Sequence, residues 1–254
     1  MIIIGLTGGI GHGKTTFAAY LAAFADSSHE HWESSSIVIE VANALRHESP
    51  AHPEPGNIAG INAWLAPLAD IIATCTHTQA DFTQVALTPQ RIKSQPVNFA
   101  KLFEYLEQMQ ASPGLQTVEI VPKNKGEFRS LLQWLGGYLV KTVGSGIWYD
   151  EIVRRIHLSA ANGLKLATVG GVRFPGDAER LRNAGGFIIE IRRPHLADVD
   201  SQDLTERERN LIESDAIVLN DGTLEELRRC ARTVFNDLKT RSLAKTYSAK
   251  SFKA

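Results

Sequence analysis

Residues 1–24 read MIIIGLTGGIGHGKTTFAAYLAAF, and this stretch decides the fold. Met1 to Gly5 is a short β-branched run of the kind that forms a buried parallel strand. The pattern Gly8-x-x-x-x-Gly13-Lys14-Thr15 follows at once, and from Thr16 to Phe24 alanine and leucine dominate, as in a helix. Strand, glycine loop and helix in this order form the phosphate-binding pattern.

The chemistry explains the order. Glycines let backbone N–H groups turn inward around phosphate oxygens without Cβ obstruction. The helix N-terminus adds partial positive charge at the same point. Lys14 carries a mobile cation able to reach the β- and γ-phosphates, and the Thr15 hydroxyl is a ligand suited to Mg²⁺. Gly8, Gly9, Gly11, Gly13, Lys14, Thr15 and Thr16 are therefore the expected contacts to ATP, with Thr15 on the metal. His12 occupies a variable position and reads as a solvent-facing filler.

Outward from this loop, Ser36–Val41 (SIVIEV) reads as a second strand. Leu164–Val169, Gly186–Ile191 and Ala216–Leu219 read as three more, each a short aliphatic run near Gly, Asn or Asp. Helical patterns fall at Phe128–Val143, Trp148–Ala161, Asp177–Asn183 and Thr223–Lys239. Five strands alternating with helices predict an α/β three-layer sandwich of the P-loop NTPase type, with a parallel sheet and ligands at the carboxyl ends of the strands. Between Glu48 and Lys125 the pattern changes. Pro50, Pro53, Pro55 and Gly56 make a connector, and helical stretches follow near Ile61–Cys75 and Val97–Met109. The expected organisation is a core of residues 1–48 and 126–240, a mostly helical insertion at 49–125, and a basic, frayed tail at 241–254. The insertion is either bulk or a lid or acceptor-binding part.

The 254 residues are 43% hydrophobic and 22% charged, ordinary for a soluble globular chain. A net charge of -1 supplies no field for a nucleic-acid backbone or an anionic membrane, which points to a small-molecule substrate and leaves a homodimer open. No stretch reads as a membrane span or signal peptide. Cys75 and Cys230 lack metal-type spacing, so a reducing cytosol is the expected setting.

The opening GLTGGIGHGKTT resembles the phosphate loop of dephospho-coenzyme A kinase. The later segments resemble the deoxynucleoside monophosphate kinase group. RSLLQWLGGYLVKTVGSGIWYDEIVRRI is similar to that group's helix pair, GGVRFPGDAERLRNAGGFIIEIRRP to its strand–turn–helix–strand unit, and SDAIVLNDGTLEELRR to its final strand and helix. This resemblance implies that Arg46, Arg129 and Gln133 seat the acceptor. It also implies that Arg173 and Arg193, with Arg192 beside it, clamp the transferring phosphoryl group, and that Asn220 lies near the donor base. Guanidinium forks at strand ends suit phosphoryl transfer, although each arginine alone also reads as a surface ion pair.

Two positions depart from the group. Gly171 stands where an aspartate ends the third strand, and Asn43 where a second acid follows the second strand. Glu40 and Asp177 are the nearest carboxylates to replace them, and each also reads as a strand-edge charge or helix-capping acid. Thr205-Glu206 resembles a Ser-Glu pair of the lid. The sequence reading is an ATP- and Mg²⁺-dependent kinase of nucleoside or deoxynucleoside monophosphates. Its rivals are a kinase of another small molecule such as dephospho-coenzyme A, and a nucleotide-binding module without catalysis.

Overall fold

The computed structural model describes residues 1–25, 28–33, 35–196 and 208–251, with side chains up to 244. It divides into two compact units, Met1–Ser34 with Ile152–Ala254, and Ser35–Glu151.

The first unit holds a five-stranded, wholly parallel sheet in the order β2-β3-β1-β4-β5. The strands are β1 (Ile2–Thr7), β2 (His29–Glu33), β3 (Leu166–Gly170), β4 (Phe187–Arg192) and β5 (Ala216–Leu219). Period-two alternation explains both faces. Ile2, Ile4 and Leu6 of β1 pack with Phe17 and Leu21 of helix α1 (Lys14–Ala22) and with Leu227 and Phe235 of the C-terminal helix. Gly5 turns the other way, and a Cβ there would strike Leu181 and Ile188. Each fully buried aliphatic or aromatic side chain in this core contributes roughly 1.5–3 kcal/mol. Central β1 is flanked by β3 and β4: the chain first builds β2 and β3 on one side and then crosses to β4 and β5 on the other, the reversal that places ligands at the carboxyl end of β1 in such sheets. The C-terminal helix runs unbroken from Leu224 to Ser251, so residues 241–251 continue a helix where a frayed tail was expected.

The expected second strand is corrected. Ser36–Glu48 is helix α2, and the strand is His29–Glu33. Ile37, Val38, Val41, Ala42 and Leu45 recur at helical spacing and are all buried, so periodicity overrides the β propensity of the SIVIEV run. The real strand, HEHWE, sits at the sheet edge with one neighbour and no apolar run, and so carried no strand signal.

The second unit is helical: α2, α3 (Ile58–Trp64), α4 (Leu68–Thr76), α5 (Phe82–Val85), α6 (Pro89–Ser94), α7 (Pro96–Ala111), α8 (Arg129–Thr142) and the start of α9 (Ile147–Ala161). Residues 58–76 are long and apolar enough to qualify as a membrane span, contrary to the sequence reading. The segment breaks into α3 and α4 at Leu65–Pro67, and Ile61, Trp64, Leu65, Leu68 and Ile72 are buried in the helical core. Completing the described elements are α10 (Pro175–Asn183) in the first unit and the C-terminal helix, α11 (Leu224–Ser251).

His52 lies in the aromatic centre of this unit, with Nε2 2.6 Å from the Tyr105 hydroxyl and its ring against Trp64. Burial, then the Arg46 charge, pushes its pKa from 6.5 down to about 4. A lowered folded-state value means that the unfolded chain binds the extra proton first. The stability from neutral His52 is thus present above pH 6.5 and is lost as pH falls through about 4. The expected result is a melting temperature that declines across this window, with a shallower slope in His52→Phe. Equal slopes in the two proteins would remove His52 as the cause.

Candidate functional site

The glycine loop joins β1 to α1 and is shaped by backbone that side chains rarely adopt. Gly8, Gly11 and Gly13 have φ of 132°, 79° and 96°. At Gly8 a Cβ would land on the Ile191 carbonyl oxygen, so the loop lies directly on the end of β4. Helix α1 begins without a side-chain cap. Among the described residues, the N–H groups of Ile10, Gly11, Gly13, Thr15 and Thr16 meet no acceptor, and neither does the Thr15 hydroxyl meet a partner. A run of unengaged donors at a helix N-terminus is a cradle for an anion.

Three side chains brace this cradle. His12 is 7% exposed, which corrects the solvent-facing reading. Its Nδ1 lies 3.2 Å from both the Gly9 N–H and the Ile191 carbonyl, so the ring pins the loop to β4 through one of them, according to its tautomer. In the tautomer with Nδ1 unprotonated, the Gly9 amide is engaged by His12. Asn220, at the end of β5, donates from Nδ2 to the His12 carbonyl at 2.9 Å. Lys14 Nζ donates to the Gly8 and Gly9 carbonyls, each at 2.7 Å, so its cation is held over the loop. No single-residue signal could have revealed His12 or Asn220 as braces, because both act on backbone far along the chain.

The arginines at the sheet's carboxyl edge divide into two kinds. Arg192 is forked onto Glu190, with Nε–Oε1 at 2.6 Å and Nη2–Oε2 at 2.9 Å. Arg173, after β3, and Arg193, after β4, are exposed, and among the described residues their side chains have no partner. Gly171 follows β3 with φ 71°. Asp177 is buried in the first turn of α10, a position where an acid complements the helix terminus. Glu40 lies within helix α2 and not on a strand. Thr205 and Glu206 fall outside the described residues.

In the second unit, Arg129 and Gln133 lie one turn apart at the start of α8 and line the same open cleft, of about 440 Å³, with Lys101, Glu104, Gln108 and Ser130. Its volume suits a small molecule. Lys101 Nζ donates to Glu104 at 2.7 Å, and that bond, then one from Ser130, holds the Glu104 carboxyl below its ordinary range. Arg129, which lines this cleft, has no side-chain partner among the described residues.

Arg46 and Asn43 do something else. Arg46 is 6% exposed and donates to the carbonyls of Val118, Leu115 and Gln116 at 2.7, 2.6 and 3.1 Å, stacked 4.5 Å from the Phe128 ring centroid. Asn43 exchanges two 2.9 Å bonds with the backbone of Ile120, a pairing that needs one donor and one acceptor and that aspartate could not complete. Together they stitch residues 115–120 onto α2, so the Arg46 guanidinium, expected at the acceptor, is engaged by three backbone carbonyls as a structural tie. The sequence reading had placed it after a strand, when it lies in the last turn of a helix. Arg46→Ala is expected to lower unfolding free energy by about 2–3 kcal/mol, because three carbonyls lose their donor. A rise in acceptor KM with unchanged chemical denaturation would instead restore it to the site.

A family model described as deoxynucleotide monophosphate kinase matches residues 70–230, more than half of the chain. That span contains Arg129, Gln133, Arg173, Arg193 and Asn220 but not the glycine loop, whose geometry therefore stands apart from it. The chain is also 24% identical over 227 residues to a protein of Acanthamoeba polyphaga mimivirus, itself only provisionally named a deoxynucleotide monophosphate kinase. The matched region covers 89% of this chain and 92% of that protein.

Proposed function

Because the chain belongs to the deoxynucleotide monophosphate kinase family, we propose that it transfers the γ-phosphoryl group of ATP, as the magnesium complex, to the phosphate of a deoxynucleoside monophosphate. The observation that carries this reading is the set of N–H groups of Ile10, Gly11, Gly13, Thr15 and Thr16 that meet no acceptor among the described residues, an array of donors suited to an anion. The residues present fit a nucleotide and its metal: the amides receive phosphate oxygens, Lys14 adds charge, and Thr15 offers an uncommitted hydroxyl as a ligand. Bound magnesium would neutralise charge on the phosphates. Arg173 and Arg193 stabilise charge on the transferring group, while Arg129 and Gln133 hold the acceptor's phosphate and base.

A monophosphate acceptor supports this reading over a hydroxyl acceptor. Its phosphate oxygen is already anionic near neutral pH, so no general base is needed, and Gly171 supplies none. ADP production measured with the four common deoxynucleoside monophosphates, and with dephospho-coenzyme A, tests it. Turnover with at least one monophosphate is expected. Turnover with dephospho-coenzyme A alone would move the acceptor to a hydroxyl, and tight ATP binding without turnover on any acceptor would leave a binding module.

A further inference from the structure

The carboxyl edge of the sheet carries an acid that the sequence reading overlooked. Glu33 ends β2 opposite Gly170 of β3, and its carboxylate fills the space of the missing side chain there. A Cβ on Gly170 would lie 2.7 Å from Glu33 Oε1, 3.0 Å from Cδ and 3.1 Å from Oε2. The acid therefore leans over the end of β3, the strand paired directly with β1 (Ile4 with Thr168, Gly5 with Val169). Two strand spacings, about 10 Å, separate the backbone of Glu33 from that of β1, where the glycine loop begins.

A hydrogen-bond chain orients this carboxylate. His31 Nε2 lies 3.1 Å from Glu33 Oε1, His31 Nδ1 lies 2.8 Å from Thr168 Oγ1, and His29 Nε2 lies 2.8 Å from the same hydroxyl. A carboxylate only accepts, so His31 carries its proton on Nε2 and, when neutral, accepts at Nδ1 from the Thr168 hydroxyl. Thr168, fully buried, then accepts from His29. The three bonds are mutually consistent with neutral rings, and the chain runs from His29 through Thr168 and His31 to Glu33. Burial, then the nearby His31, holds the His29 pKa below its ordinary value, consistent with a neutral ring at the head of the chain. Such a relay fixes a carboxylate's direction at a position still 35% exposed at the side chain.

Resting on the kinase reading above, we propose that Glu33 is the metal-side carboxylate of the glycine loop, accepting hydrogen bonds from water bound to the nucleotide's magnesium where Gly171 offers no acid. The ligand chemistry is a hydrated divalent cation chelated by a triphosphate. Glu33 acts through the cation's water shell, and His29, Thr168 and His31 are positioning residues behind it.

The test is ATP affinity by titration calorimetry, with Mg²⁺ and with the metal chelated, in the wild type and in Glu33→Gln. Glutamine keeps one acceptor oxygen for His31, removes the charge and replaces the second oxygen by a donor. The expected result is unchanged metal-free affinity and a loss of at least about tenfold in the Mg²⁺ enhancement, the scale on which outer-shell partners act. Full enhancement in Glu33→Gln overturns the proposal. Should that variant also lose metal-free affinity, Glu33→Asp decides. It keeps the charge but withdraws it by one methylene, so reduced enhancement supports the assignment and full enhancement overturns it. No ATP binding by the wild type would instead sink the kinase reading itself.

Discussion

Lys14→Ala is expected to lower kcat/KM for ATP by about a thousandfold, the scale for removing one preorganised charge-stabilising group. Its ammonium lies 2.7 Å from two loop carbonyls, Gly8 and Gly9, at the mouth of a cradle lined with unengaged amides. A phosphate arriving there exchanges those carbonyls for oxygens bearing charge, a stronger partner for a cation. Alanine removes the cation and also the tie across the loop, so Lys14→Arg is the control for shape. Arginine keeps the charge, and its bulk costs activity without abolishing affinity. ATP affinity unchanged in Lys14→Ala would show that the cradle does not hold phosphate.

Arg173→Ala and Arg193→Ala should each lower kcat by about 10²-fold or more while KM for ATP moves little, whereas Arg192→Ala should leave kcat within a few-fold. Sequence alone named Arg192 and Arg193 as neighbours after β4 and favoured Arg193, with Arg173, as lying just beyond a buried strand. The fork of Arg192 onto Glu190 separates the two neighbours, since a guanidinium already paired has less to give a phosphoryl group. Arg173 and Arg193 carry no such pairing among the described residues. Steady-state kinetics on the three variants checks this, and equal losses at positions 192 and 193 would contradict it.

Some of the architecture was legible because it is local. A β-branched run, a glycine loop and an alanine-rich helix occupy 24 consecutive residues, and the strands at 166–170, 187–192 and 216–219 are apolar runs bounded by turn formers. Arg129 and Gln133 were legible as a pair because helical spacing puts them on one face, where they line one cleft. The second strand was not. Its five residues include two histidines and two glutamates, and an edge position accepts such a strand on one ladder of hydrogen bonds, without an apolar signature.

By itself, the sequence determined the glycine loop, the alternation of strands and helices, and the helical character of the middle of the chain, since each depends on neighbours within a few residues. Only the tertiary structure decided what the polar side chains do. It turned His12 inward as a brace, gave Arg46 and Asn43 to the 115–120 segment, and paired Arg192 with Glu190. It also brought Glu33 over Gly170 across 137 positions of sequence. Hydrogen bonds and charges act over a few ångströms in space, and no spacing along the chain encodes which distant backbone or side chain will fill that distance.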